Sequence, residues 1–250
     1  SALWTGFLPG LLIVAGIGWW DDHRPLSPWL RLAVQAIAAA MLAVGVAWQS
    51  GHWLPAVIVF GSAMALVNVW NFMDGINGLA ASQAALAALA YAGLLDGGWQ
   101  WLALALLAGC LGFLPFNFPK ARIFLGDVGS GALGFALAGL AVAAWVTRPS
   151  SQAPLLLLPL CAFLIDAGFT LSGRMLRGER WWTPHVGHLY QMGARRCGHT
   201  SITVIYMAFG GISLLLSYAA LQAGLAITAS VTVVVFGTGA ALWFLLRRGW

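Results

Sequence analysis

The chain alternates between long apolar runs and short polar breaks. Nine stretches are close to the roughly 20 mostly apolar residues that a helix needs to cross a hydrocarbon core. They run approximately 2–19, 29–48, 54–71, 79–95, 100–116, 129–147, 153–173, 202–221 and 225–246. The pattern predicts an all-α, polytopic transmembrane helix bundle of about nine spans, read as a single integral membrane domain over 1–250. Many runs are rich in Ala and Gly, which lets helix backbones approach closely. Trp19, Trp20, Trp29, Trp48, Trp53, Trp99, Trp101 and Trp145 fall near span ends, where an interfacial aromatic belt is expected.

Composition supports the membrane class. The 250 residues are 61% hydrophobic and 8% charged, against roughly 25% charged in soluble domains. Cys110, Cys161 and Cys197 are far apart and form no CxxC pattern, so a metal or redox pair is not indicated. The chain starts at Ser1 and enters an apolar run with no basic n-region or cleavage pattern. This reads as a trimmed chain and not as a signal peptide.

The breaks sort by charge. Short connectors near 50–53, 96–99, 148–152 and 222–224 hold one of the twelve Lys and Arg residues, Arg148. The side of the longer breaks near 20–28, 72–78, 117–128 and 174–201, with the C-terminal end, holds the other eleven, in the breaks or at the span ends beside them: Arg24, Arg31, Lys120, Arg122, Arg174, Arg177, Arg180, Arg195, Arg196, Arg247 and Arg248. By the positive-inside rule the longer breaks are cytoplasmic. The net charge of +5 is then mostly topological and calls for no nucleic acid.

Six of the seven carboxylates fall on or near that same side: Asp21, Asp22, Asp74, Asp127, Asp166 and Glu179. Ionisable groups at membrane depth are costly and commonly functional. Asp21 and Asp22 close the first span, and adjacent like charges there call for a cation, either Arg24 or a metal. Asn68, Asn71 and Asp74 recur every three residues and share a helix face, which breaks at Asp74-Gly75 and Asn77-Gly78. Asp127, in IFLGDVGSG, suits either an N-cap of the next span or a phosphate site at a helix N-terminus. Asp166 lies inside the seventh stretch, open to pairing with an Arg or an Asn from another helix or to a direct role. In RMLRGERWWTPHVGHLYQMGARRCGH, Trp181 and Trp182 suit an interface or a stacked base. His185 and His188, three apart, share a face if that segment is helical. Amid Arg, they suit phosphate oxygens better than zinc.

The runs WWDDHRPLSP, NVWNFMDGINGL, FNFPKARIFLGDVGSGALGF and TPHVGHLYQ, in this order, resemble the polyprenyl-phosphate N-acetylhexosamine-1-phosphate transferases. That family includes the undecaprenyl-phosphate GlcNAc-1-phosphate transferases and the phospho-MurNAc-pentapeptide translocases. The resemblance covers nearly the whole chain. It implies transfer of a sugar-1-phosphate from a UDP-N-acetyl sugar to a polyprenyl phosphate such as undecaprenyl phosphate. UMP is released, with Mg²⁺ as cofactor and Mn²⁺ as the substitute. It further implies a multi-pass protein of the bacterial inner membrane, its site facing the cytoplasm, in cell-envelope polysaccharide synthesis, with a homodimer as the candidate assembly. By motif position, Asp21, Asp22 and Asp74 are catalytic. Asp127 and Asp74 hold the metal. Asn71, Asn77, Lys120, His185, His188 and Arg177 bind substrate. Asn77 stands where many relatives carry a second Asp, which resembles the branch acting on lipopolysaccharide O-antigen sugars. Val186 stands where that branch often has Arg. The family's further N-terminal helices and basic segment are absent from 1–250, which implies a fragment.

The competing class is an ion-coupled transporter, which also places acids and Asn in broken helices. It predicts acids near the bilayer midplane and an internal repeat. Here the acids gather toward one side and no repeat is evident.

Overall fold

The computed structural model describes residues 2–180, 183 and 186–249. Among these, ten α-helices and no strand occur. They are α1 (Ala2–His23), α2 (Pro28–Ser50), α3 (Trp53–Met73), α4 (Leu79–Ala92), α5 (Gly97–Asn117) and α6 (Gly126–Thr147). After them come α7 (Cys161–Leu176), α8 (Leu189–Cys197), α9 (His199–Ala219) and α10 (Leu225–Gly249). A 3-10 segment, Ser150–Leu160, leads directly into α7.

Eight segments are long and apolar enough to cross a membrane, the 3-10 segment and α7 counting together as one. The ninth expected stretch, 79–95, is a helix of 14 residues, about 21 Å long at 1.5 Å per residue. Gly93 and the break at Asp96-Gly97 stop it early. The helices form two compact units, Ser1–Asp74 with Phe124–Ala143, and Gly75–Ile123 with Ala144–Trp250.

In the first unit α2 packs against both α1 and α3. Phe7 stacks on Phe135 with ring centroids 5.9 Å apart, and Leu42, Trp70 and Leu137 are fully enclosed. Gly6 and Gly134 sit so close to the backbones of α2 and α3 that a Cβ would collide. This is the close approach that small residues give membrane helices, where van der Waals packing drives association.

In the second unit α4 is buried along most of its length. Its first end meets Asn117 at the end of α5, through Gly78 N–H to Asn117 Oδ1 at 2.7 Å. Its far end meets the start of α5 through Gln100 and the end of α9 through Tyr218. Thus α4 joins the same two ends as the 21-residue α5 and α9, as the predicted alternation requires. Arg148 and Asp96, both assigned by sequence to the short-connector side, pair at 3.2 Å. A further core forms where Leu155, Leu158, Cys161, Ile165, Leu189, Val235 and Trp243 pack together.

Trp19, Trp20, Trp29, Trp48, Trp53 and Trp101 are exposed, as a belt requires, but Trp99 is buried. The long break 174–201 contains α8, a short helix its polar composition had concealed. His185, Trp181 and Trp182 lie outside the described residues. Val186 and Gly187 are not helical and His188 is the N-cap of α8, so the helix face expected for the histidine pair does not continue through them.

Candidate active site: an acid cluster around Arg31

Four of the expected acids converge in the first unit. Asp21 and Asp22 occupy the last turn of α1, Asp74 ends α3, and Asp127 lies in the first turn of α6. Carboxylates at a helix C-terminus oppose the helix dipole, so the end of α1 needs compensation from outside. Arg31, in the first turn of α2, supplies it. One guanidinium nitrogen contacts Asp21 at 2.8 Å and the other contacts Asp127 at 2.7 Å. Arg31 also donates to Asn71 Oδ1 at 3.3 Å, while Asn71 Nδ2 donates to Asp127 at 2.7 Å and to Ser130 at 3.1 Å.

Asp22 binds differently. Its two oxygens accept the backbone N–H groups of Asp127 and Val128 at 2.8 and 3.0 Å. The N-terminus of α6 is therefore capped by a carboxylate from α1. Asp127 does not cap its own helix, and the first amides expected to be open to phosphate are engaged. Two glycines make this possible. A Cβ at Gly18 would strike the Asp127 carbonyl at 2.5 Å, so α1 reaches α6 only without one. Gly126 takes φ +64°, and a side chain there would occupy the Asp22 carboxylate's place, a position only glycine fills without strain.

Asp74 is half-buried, and its acidity is weakened. Burial first, then the charges of Asp127 and Asp22, push its pKa up to about 7. Asn68 turns away from the acids, donating to Gln35 at 3.0 Å.

The oxygens of Asp21, Asp22, Asp74, Asp127 and Asn71 are hard donors suited to Mg²⁺. No ready-made group of three His, Cys, Asp or Glu ligands occurs among the described residues. Burial, with the Asp127 and Asp22 charges added, makes ionising Asp74 costly, a cost that a bound cation would relieve.

The remaining expected site residues belong to the second unit. Asn77 is held structurally: its Nδ2 donates to the Pro119 carbonyl at 3.0 Å, and its carbonyl accepts from Thr203 at 2.8 Å. Lys120 is exposed. Arg177 pairs with Glu179 at 2.6 Å. His188 is buried, with its ring stacked on Tyr190 and its Nδ1 3.9 Å from Asp166. Burial lowers its pKa, opposed by Asp166 and assisted by Arg247 and Arg174. A phosphate reaching this ring would have to displace that packing. Asp166 lies fully inside the unit and is the acceptor of a dense set of donors described below.

Arg31 was not singled out by the sequence as a site residue. Its signal was present, since a cation in the first turn of a helix opposes the dipole and calls for an anion.

Removing the Asp22 cap should be measurable. Asp22→Ala should cost about 1 kcal/mol, the usual worth of a lost N-cap acceptor, and lower the thermal midpoint of the purified protein. Asp22→Asn should retain only part of that stability, because the amide offers one acceptor where both carboxylate oxygens are engaged. Equal midpoints for Asp22→Ala and wild type would show that water replaces the cap without loss.

Fold and site together define a polytopic helical membrane protein with an acid–arginine centre at one end of a helix bundle. Residues 4–145 match the model of glycosyl transferase family 4, and the chain belongs to that family. It is 31% identical to the decaprenyl-phosphate N-acetylglucosaminephosphotransferase of Mycobacterium tuberculosis, over 99% of this chain and 74% of that protein. It is 35% identical to the phospho-N-acetylmuramoyl-pentapeptide-transferase of Thermosynechococcus vestitus, over 56% of this chain and 47% of that protein. A protein of the latter name from Heliobacterium modesticaldum is 31% identical over 81% of this chain and 72% of its own length. The chain thus spans from about half to three-quarters of the length of these relatives.

Proposed function

We propose that this chain carries the transferase site of an enzyme that moves a sugar-1-phosphate from a UDP-N-acetyl sugar to a polyprenyl phosphate. The observation carrying this reading is the acid cluster around Arg31, in a chain whose relatives are named decaprenyl-phosphate N-acetylglucosaminephosphotransferase and phospho-N-acetylmuramoyl-pentapeptide-transferase. An oxygen of the lipid phosphate attacks the sugar-bearing phosphorus. The bond from that phosphorus to the bridging oxygen breaks, and UMP leaves with the electron pair. Both reactants are anionic, so the barrier is largely one of charge and alignment.

When bound, Mg²⁺ would screen the pyrophosphate and the charge developing on UMP; Asp127 and Asp74 are its proposed ligands. Arg31 orients Asp127 and Asp21 and can turn toward a phosphate, because its side chain is only partly enclosed. Asp21 orients the lipid phosphate or takes its proton. Asp22 fixes the start of α6 so that Asp127 faces Asp21. Asn77, Lys120, Arg177, His185 and His188 are the candidates for holding the nucleotide sugar. The protein would work in the bacterial cytoplasmic membrane with this end facing inward, in envelope polysaccharide synthesis.

The test offers the purified protein a panel of UDP-sugars with polyprenyl phosphate, with and without Mg²⁺, and identifies the lipid product by mass spectrometry. A lipid-linked pyrophosphoryl sugar with stoichiometric UMP is the expected result. Release of UDP, or transport without any lipid product, would overturn the reading.

A further inference from the structure

We propose that Asp166, which lies beyond the family-matched residues, is a positioning residue that fixes the start of α8, and with it His188, for binding of the nucleotide sugar. The substrate half of this statement rests on the transferase reading above.

Asp166 is 1% exposed, in the middle of α7. Its carboxylate receives donors from four helices. The Leu189 and Tyr190 amides, which open α8, donate at 2.8 and 3.1 Å. Tyr206 of α9 donates its hydroxyl at 2.8 Å, and Trp243 of α10 its indole N–H at 3.1 Å. Thr170 adds a longer contact at 3.3 Å. A carboxylate offers about four lone-pair sites, so this acceptor is saturated.

Ordinary helix capping does not require such an arrangement. Ser, Thr, Asp or Asn at the N-cap would satisfy the first amides locally. Here the N-cap is His188, whose backbone N–H donates to Gln191 Oε1 at 3.2 Å in a capping box, while the Leu189 and Tyr190 amides take their oxygens from a charge buried on another helix. Burying a carboxylate is costly unless it is fully hydrogen-bonded. The fold accepts that cost and keeps histidine at the N-cap position.

The chain just before α8 is held in the same manner. Arg247 of α10 donates to the Gly187 carbonyl at 3.0 Å and lies over the Trp243 ring at 4.7 Å. Arg195 donates to the Val186 carbonyl at 3.2 Å, and Arg174 to the Arg180 carbonyl at 3.0 Å. Three guanidinium groups thus grip backbone oxygens of one Arg- and His-rich segment. Asp166 and Trp243 anchor its far end.

Asp166→Asn keeps the volume but turns an amide N–H toward donors. Hydrogen–deuterium exchange of the peptide covering 186–192 and steady-state kinetics on the full protein decide the matter. Exchange at the Leu189 and Tyr190 amides should quicken by about tenfold or more. The apparent KM for the UDP-sugar should rise by about tenfold, while that for polyprenyl phosphate stays near wild type. Should Asp166→Asn fail to fold, Trp243→Phe combined with Tyr206→Phe removes two donors and leaves the cap, and should move both readouts the same way by less. Unchanged exchange, or a rise in both KM values together, overturns the proposal. A wild-type protein that turns over no UDP-sugar overturns the substrate half through the transferase reading. In that case faster exchange in the variant still supports the anchoring of α8.

Discussion

Asp127→Asn should abolish transfer, by at least about a hundredfold in kcat, at every Mg²⁺ concentration. Asp127 accepts from Arg31 with one oxygen and from Asn71 with the other, both at 2.7 Å. An amide in its place has only one acceptor, so one of those donors would face a second N–H. The charge opposite Arg31 is halved as well, and the hard ligand proposed for the cation becomes a poorer one. Both ion-pair partners are about a quarter exposed, so water screens part of the loss. The stability cost should stay near 1–2 kcal/mol, too little to unfold the bundle. His185→Ala is the contrasting variant. It should leave the Mg²⁺ requirement near wild type and weaken UDP-sugar handling by roughly ten- to a hundredfold, since imidazole seldom competes with oxygen for Mg²⁺. Separate titrations of Mg²⁺ and UDP-sugar distinguish the two. Normal turnover by Asp127→Asn, or a His185→Ala defect cured by metal alone, would reverse the assigned roles.

Much of the helix layout was legible because membrane spans announce themselves by length and apolarity. The nine runs match the helices to within a few residues, and Asp74-Gly75 and Asn77-Gly78 mark the break they were expected to mark. At 79–95 only the length differs, α4 stopping at Ala92, because a helix enclosed by its neighbours needs no full span of its own. α8 was missed because nine polar-rich residues carry no apolar signal. Its ends are nevertheless written in the chain, with Arg195 and Arg196 in the last turn and Gly198 after it. The gathering of Asp21, Asp22, Asp74 and Asp127 was readable from their shared loop side. The contacts among them were not. That Asp22 caps α6 depends on an approach between residues 105 apart in sequence, set by Gly18 and Gly126. Arg31 was read as one of eleven topological charges, and only its place in the first turn of α2 separates it from the rest. Asp166 was left between pairing with another helix and direct chemistry. Its partners came from three other helices, and none of them is Arg or Asn.

Asp74→Asn should abolish or sharply reduce transfer and yet stabilise the metal-free protein above neutral pH. Burial and the neighbouring Asp127 and Asp22 charges raise the folded-state pKa of Asp74 to about 7, whereas an unfolded Asp titrates near 3.9. Below about pH 4 the group is protonated in both states and contributes no difference. Between about pH 4 and 7 the folded protein keeps a proton that the unfolded chain has lost. Stability therefore falls as pH rises through this window, by up to about 1.4 kcal/mol per unit and about 4 kcal/mol in all. Above the folded pKa the penalty is complete and constant. An amide carries no charge, so the variant should escape it. At pH 5 the two proteins should melt at temperatures closer together than at pH 8, where the variant should be higher by roughly 2–4 °C per kcal/mol. Mg²⁺ should narrow the gap at pH 8, because a bound cation removes the cost of ionising Asp74 in the wild type and offers the amide less. Thermal unfolding of both proteins at pH 5 and 8, in EDTA and in Mg²⁺, gives the four differences between variant and wild type. A variant that melts below wild type at pH 8 in EDTA would show that the Asp74 carboxylate is already compensated within the protein, and that neither burial nor the Asp127 and Asp22 charges make its ionisation costly.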